Sequence, residues 1–255
     1  MYTFEHPATE QTPVLTDYRY IGANPNNYVS FNNELWRIIG VFTVEDGTGN
    51  TEQRIKIVRN EKLSGKMQWN SNKVNEWSTA TLNTYLNGEY YNGLDATSKS
   101  MVADTKYYLG GYNHHDISGD EHYNNERGIT VYGGNDTNWV GKIALLYPSD
   151  YIYTYALGVD NDCYTNGNDC GRGEYGKPTK GWIYKTNSNV DHWTLNHKSD
   201  RAEELFVIAT NGRVRFLVDH YVYNSWYVRP TLYLSSSVKI DSGDGSEQSP
   251  YSLKL

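Results

Sequence analysis

Three groups of side chains in this 255-residue chain have the types and spacing that chemistry uses. The first is His114-His115-Asp116, followed by Asp120-Glu121-His122. Imidazoles and carboxylates at this density are the donors of divalent metal sites. Adjacent residues on an extended loop point apart, however, and no His-x-x-x-His pair puts two donors on one helix face. The reading favoured is a solvated polar loop. The second group is Asp160, Asp162, Asn166, Asn168 and Asp169. Oxygen-rich turns with Gly are what calcium takes. Counting from Asp162 puts Gly167 at the sixth position of a calcium loop, but Tyr164 stands where an oxygen ligand belongs and Gly173 where a bidentate Glu belongs. That template fails. Asp160, Asp162 and Asp169 remain calcium candidates in another geometry, and no other cofactor is implied.

The third group lies between Asn196 and Tyr227 and contains His197, Arg201, Arg213, Arg215, Asp219, His220, Tyr221, Tyr223, Asn224 and Trp226. Rigid aromatic rings beside Arg and Asn are the mixture that ligand-binding surfaces use. The bland alternative is an ordinary exposed hairpin and loop. No Ser-His-Asp set, glycosidase pair or P-loop emerges, so the expectation is a binder without catalysis.

The elements that must position this group begin with the stretch after it. Trp226 to Leu234 is short, apolar on both faces and closed by Ser235-Ser236-Ser237, which reads as a buried strand. Pro230 has no N–H, so pairing must lapse or bulge there. Arg229, set among apolar neighbours, needs a carboxylate or several carbonyls to offset its desolvation, and is read as a structural anchor. Leu205–Ala209 and Arg213–Val218 should form a hairpin through Asn211-Gly212. Tyr28–Phe31 and Glu34–Phe42 should do the same across Asn32-Asn33, and Val238–Ile240 should pair with Tyr251–Leu253 as a final ribbon. Arg54–Arg59, Lys142–Tyr147, Trp182–Tyr184 and His192–Leu195 read as further strands. Two helices are expected. One runs from Ser78 or Thr79 to Gly88, the other from Asp95 through Leu109 to Gly110-Gly111. Residues 1–17, polar and with two prolines, read as a flexible arm ahead of a single domain over 18–255. The class expected is α+β: two helices, mixed and mostly antiparallel short strands, and long loop insertions.

Bulk properties narrow the function. Hydrophobic content is 38% and mean hydropathy −0.72, yet aromatics reach 14%, with 24 Tyr and 7 Trp. Disordered chains lack such aromatics. Many of these tyrosines must lie at the surface, where a flat ring with a polar tip binds at little entropy cost. Net charge is −7 and no stretch concentrates Lys or Arg, so nucleic acid is not an expected partner. No run of eighteen apolar residues occurs, so direct membrane insertion is not expected either.

Val228-Arg229-Pro230-Thr231-Leu232-Tyr233-Leu234 resembles the strand that closes bacterial C-type-lectin-like domains. That fold includes the variable ligand-binding proteins of diversity-generating retroelements and, more distantly, formylglycine-generating enzymes. Tyr20 to Val29, Leu35 to Gly40 and Trp77 to Asn83 resemble a surface-exposed family of Gram-positive bacteria. The resemblance implies a C-type-lectin-like domain at the cell surface or outside the cell, with its export or anchor segment absent from this chain. It implies a surface protein or glycan as ligand, contacted by residues just before the closing strand. Tyr227 stands where the family has Gly, and the calcium- and sugar-holding tripeptides of the sugar-binding lectins are missing. The copper-binding cysteine pair of the enzymes lies close to the closing strand, whereas Cys163 and Cys170 lie well upstream. Their six-residue gap and an exported setting point to a structural disulfide. The alternative from another class is a pilin-like or cell-wall subunit whose tyrosines make protein–protein contacts.

Overall fold

The computed structural model describes residues 1–114, 117–154, 181–186, 190–210, 214–215 and 221–255, with backbone alone at 185, 186 and 215. In chain order the first strands are β1 (Tyr2–His6), β2 (Leu15–Arg19), β3 (Tyr28–Phe31), β4 (Glu34–Glu45), β5 (Thr51–Arg59) and β6 (Met67–Gln68). Helices α1 (Thr81–Tyr85), α2 (Tyr91–Gly93) and α3 (Ala96–Met101) follow, then β7 (Thr105–Tyr108), α4 (Gly119–Glu126), β8 (Asn138–Gly141), β9 (Ile143–Ala144) and α5 (Pro148–Ile152). The last part contributes α6 (Trp182–Thr186), β10 (His192–His197), β11 (Leu205–Ile208), β12 (Val214–Arg215), β13 (Ser225–Trp226), β14 (Thr231–Tyr233), β15 (Lys239–Ser242) and β16 (Ser252–Lys254). The class is α+β, with mostly antiparallel strands and few helices.

One sheet runs in the order β1-β2-β4-β5-β14-β9, with β3 also on β4. Its longest pair, β4 with β5, registers from Glu45 opposite Thr51 to Trp36 opposite Arg59. The β3–β4 hairpin turns on Asn32 and Asn33, whose φ values of 55° and 57° are both left-handed. Two such residues give the turn whose twist suits paired strands, and Asn tolerates that region better than most residues. Gly40 sits at a register shift in β4, where a Cβ would lie 2.2 Å from the carbonyl oxygen of Tyr18 on β2. Only glycine fits there.

Several expectations are corrected. Residues 1–17 are not a loose arm: β1 pairs along its whole length with β2, and β2 pairs with β4. Phe4 and His6 alternate inward from it, a period-two signal too short to stand out in a polar stretch. The first helical segment starts with a 3-10 turn over Trp77–Thr79 that Glu76 caps, not Ser78 or Thr79. It then passes through Gly88 in a π turn to reach Gly93. The second is capped by Asp95 as expected, but ends at Met101. Thr105–Tyr108 is a strand paired with β8, because alternate Thr105 and Tyr107 are fully buried and β-branched and aromatic residues suit a pleat. Trp182–Tyr184 is helical, and Lys142–Tyr147 keeps strand pairing only at Ile143–Ala144 although Ile143 to Tyr147 are all buried. The closing stretch divides into β13 and β14, with Val228 to Pro230 outside any strand between them; the Val228 and Pro230 carbonyls still accept from Leu63 N and Arg59 N, but Pro230 has no amide to donate. Expected pairings that hold are β3 with β4, β11 with β12 and β15 with β16.

Beneath β1 and β2 lies a buried set of ions. Asp17 lies 3.0 Å from His6 Nε2 and accepts from Arg19 at 2.8 Å. Arg19 also meets Asp150 at 3.3 Å, and Asp150 accepts from the Lys56 ammonium at 2.5 Å. Glu126 accepts from the Ser149 amide at 2.8 Å and from its hydroxyl at 2.5 Å, and lies 3.4 Å from Arg127. Arg127 packs over the Tyr123 ring at 3.4 Å. Desolvation lowers Lys56 and His6; Asp17 is held below its ordinary range by Arg19 despite its burial. Burial raises Glu126 to about 7, against the pull of Arg127 and Ser149.

Two predictions follow from this framework. Asn33→Gly should leave stability nearly unchanged, whereas Asn33→Val should cost about 1–2 kcal/mol in urea unfolding, since a β-branched residue is strained at left-handed φ. Glu126 binds its proton more tightly folded than unfolded, so its contribution is complete below about 4.5 and is lost as pH rises through about 7. Glu126→Gln removes that loss. The stability of the variant relative to wild type, measured by urea unfolding at pH 4.5 and pH 8, should rise by up to about 3 kcal/mol. A difference that stays flat would mean the carboxyl titrates normally.

Candidate functional site

The chain from Tyr221 to Val228 is fixed from both sides by backbone hydrogen bonds. The Val222 amide donates to Glu203 O at 2.8 Å, and its carbonyl accepts from the Asn70 amide at 2.9 Å. The Tyr227 amide donates to Asp191 O and its carbonyl accepts from Trp193 N, both at 3.1 Å; Val228 O accepts from Leu63 N at 2.9 Å. Between these points β13 pairs with β6, Ser225 opposite Gln68 and Trp226 opposite Met67. Two indoles lock the ribbon from below. Trp193 Nε1 donates to Met67 O at 2.8 Å, and Trp69 Nε1 donates to Thr194 O at 3.2 Å. Val222, Val228, Trp69 and Trp193 are buried, while Tyr221, Tyr223, Trp226 and Tyr227 are half-exposed.

These rings fall into two neighbouring groups, Tyr221 with Tyr223 and Trp226 with Tyr227. Tyr221 and Tyr223 stack with centroids 5.2 Å apart and planes 5° from parallel. Trp226 meets the buried Trp193 edge-on at 6.5 Å. Lys66 lies 5.1 Å from the Trp226 ring and 5.6 Å from Tyr227, Lys62 lies 5.0 Å from Tyr227, and Lys73 lies 5.1 Å from Tyr223. Gln68 Nε2 donates to Tyr223 O at 2.6 Å. Desolvation, and then the neighbouring Glu203 carboxylate, raise the Tyr223 hydroxyl above its ordinary value, so it stays a neutral donor.

The loop beside this face is organised by one amide. Asn75 is buried, and its Nδ2 lies 3.0 Å from Lys198 O, 2.7 Å from Arg201 O and 3.2 Å from Glu204 O, while its backbone amide donates to Ala202 O at 2.6 Å. Lys198 pairs with Asp200 and Glu204, both at 3.3 Å. Arg201 is exposed on this loop.

Of the ten expected contact residues, the structure stacks Tyr221 on Tyr223 and leaves Asn224 and Trp226 half-exposed in the same segment. His197 is corrected. It is 2% exposed, with its Nε2 3.0 Å from where a Gly111 Cβ would stand, and burial lowers it to about 4. It belongs to the interior because β10 is buried on both faces, a pattern that period-two reading does not separate from a half-exposed strand. Arg213, Asp219 and His220 lie outside the described residues, as does the side chain of Arg215; Val214 faces inward as expected. Cys163, Cys170, Asp160, Asp162 and Asp169 lie outside them too. Arg229 is 2% exposed and donates from Nε to Arg59 O at 3.0 Å and from Nη2 to Asn60 O at 2.9 Å. Burial lowers it to about 9. It holds carbonyls, not a carboxylate.

The histidine-rich group disperses. Ser118 and Glu121 form a reciprocal cap at the start of α4, a Ser-x-x-Glu signal that the sequence carried and the loop reading passed over. His122 is buried with Nδ1 2.5 Å from the Tyr112 hydroxyl, and Asp120 accepts from the Tyr153 hydroxyl. His115 and Asp116 lie outside the described residues. Among the described residues no helix is long and apolar enough to cross a membrane, and no three metal-type donors converge. Searches against protein-family models, curated proteins and solved structures find no match for this chain.

Sequence reasoning missed Lys62, Lys66, Gln68, Lys73 and Asn75, since they join the face from about a hundred and fifty residues away, as the Gln68–Tyr223 contact shows. Asn75→Ala leaves several buried carbonyls without their donor. It should cost about 2 kcal/mol in thermal or urea unfolding and speed amide exchange over residues 199–204 ahead of the β10–β11 core. Uniform exchange across both would mean the loop is held by something else.

Proposed function

We propose that this chain is a non-catalytic ligand-binding domain of the C-type-lectin-like type, displayed outside a bacterial cell. Its binding face is the half-exposed set Tyr221, Tyr223, Asn224, Trp226 and Tyr227. The observation that carries the reading is the pinned backbone under exposed rings. Residues 221–228 are bonded from both sides, so the rings are presented without ordering a loop on binding. Rings, amides and ammonium groups are a contact set, and hot spots in binding surfaces favour Trp and Tyr in such settings. The lectin-like assignment rests on the closing-strand resemblance. It is supported by the place of β14, between β5 and β9, with Arg229 bonded beneath the preceding turn.

The test is a screen of the purified chain against arrayed glycans and bacterial and host surface proteins, with and without a chelator, beside Tyr223→Ala and Trp226→Ala variants. Each variant should keep the wild-type circular dichroism and lose at least thirtyfold in affinity, the size of a hot-spot truncation of about 2 kcal/mol. A ligand bound equally by both folded variants would remove the face from the proposal. Concentration-dependent self-association with no ligand would support the alternative of a pilin-like or cell-wall subunit. Loss of binding with chelator would direct attention to Asp160, Asp162 and Asp169.

A further inference from the structure

Charge is distributed unevenly over this molecule. The chain carries 30 Asp and Glu against 23 Lys and Arg. Lys56, Lys106, Lys142, Lys198 and Lys254 each hold a carboxylate. Lys62, Lys66 and Lys73 hold none among the described residues, and rest instead against Tyr227, Trp226 and Tyr223. Lys66 and Lys73 are exposed and Lys62 half-exposed. Tyr223, Trp226 and Tyr227 therefore each have over them an ammonium that holds no carboxylate among the described residues, while Tyr221 has none there and the Glu203 carboxylate bonds the Tyr223 hydroxyl.

We infer that the occupant of this face is an oligosaccharide bearing carboxylates, a uronate-type glycan. The inference rests on the binding reading above and names its ligand class. A ring of Tyr or Trp offers an apolar plate for the C–H face of a sugar, with a polar tip for its hydroxyls. An ammonium over the ring, 5.1 Å from its centroid, is within reach of a carboxylate on a sugar held at that ring. Lys66–Trp226 stands at the β6–β13 pairing and Lys73–Tyr223 next to it in both segments, which offers two ring-and-ammonium subsites.

Two other acidic partners fit less well. An extended acidic peptide docks by adding a strand, and the amides and carbonyls at Val222 and Tyr227 that it would need are already bonded on both sides. A duplex nucleic acid or a heavily sulfated glycan carries its charge at higher density, and gains more from an extended basic surface than three lysines supply. One acid per sugar suits three lysines.

The experiment is titration calorimetry of the full chain with hexagalacturonate, its methyl ester and a chondroitin sulfate hexasaccharide. Arms with Lys62→Gln/Lys66→Gln/Lys73→Gln and with Tyr223→Ala run alongside. The surface lysines leave the fold intact when replaced, which thermal unfolding checks. Hexagalacturonate should bind at low salt and weaken as salt rises. The methyl ester and the lysine variant should each lose about tenfold or more, as three exposed ion pairs predict. Tyr223→Ala should lose binding to both sugars. Equal binding of acid and ester, with the lysine variant unaffected, overturns the acidic ligand and leaves the aromatic face standing. Binding that survives both variants overturns the face as well. Preference for the sulfated sugar, or no binding of any of the three, overturns the inference.

Discussion

The carboxylate of Asp150 is the tie on which the sheet and its helices depend. One oxygen faces Arg19 on β2, while the other takes the ammonium of Lys56 on β5 and the amide of Tyr147 at the start of α5. Three elements distant in sequence meet on one buried group. Around it stand Arg19, Lys56 and Arg127 against Asp17, Asp150 and Glu126, with tyrosines and Phe42 supplying rings over the cations. Ions in such a place are costly to bury and costlier to leave unpartnered; breaking a buried pair costs about 3–5 kcal/mol. That asymmetry makes the arrangement specific. A register slip of β2 by one residue would turn Asp17 and Arg19 to the opposite side and strand the rest.

How much of this is legible in the residue order depends on whether the signal is local. Asn32-Asn33 states its own turn, and the alternation on either side states the pairing. Arg229 states a need for carbonyls or a carboxylate, and the structure supplies two carbonyls. The ionic interior gives no such statement. His6, Asp17, Arg19, Lys56, Glu126 and Asp150 each read as surface residues, and their burial follows only from the partners that the sheet assembles. Thr105–Tyr108 fails for a related reason: four residues fit a helix stripe and a strand equally, and the partner β8 decides.

The same division runs through the candidate site. Tyr221, Tyr223 and Trp226 stand in one segment and are visible as a group. Their lysines and the Asn75 amide arrive from residues 62–75, and nothing near either segment announces the other. His197, chosen by its neighbours in sequence, belongs to a strand that is buried throughout. Proximity along the chain is a poor guide to a face built on a ribbon between distant segments.

The position of β14 bears on how the molecule comes into being. Thr231 to Tyr233 lies between β5 and β9, inside the sheet and not at its rim. Its guanidinium neighbour meets a carbonyl 170 residues earlier in the chain. As the polypeptide leaves the ribosome, β5 therefore presents an unpaired edge until β14 has emerged. Loop closure over so long a span is slow, and an open edge of β-branched residues invites pairing with other chains. The charged Arg54, Lys56 and Arg59 interleaved along β5 interrupt that edge while it waits. Their spacing serves the nascent chain as well as the finished one.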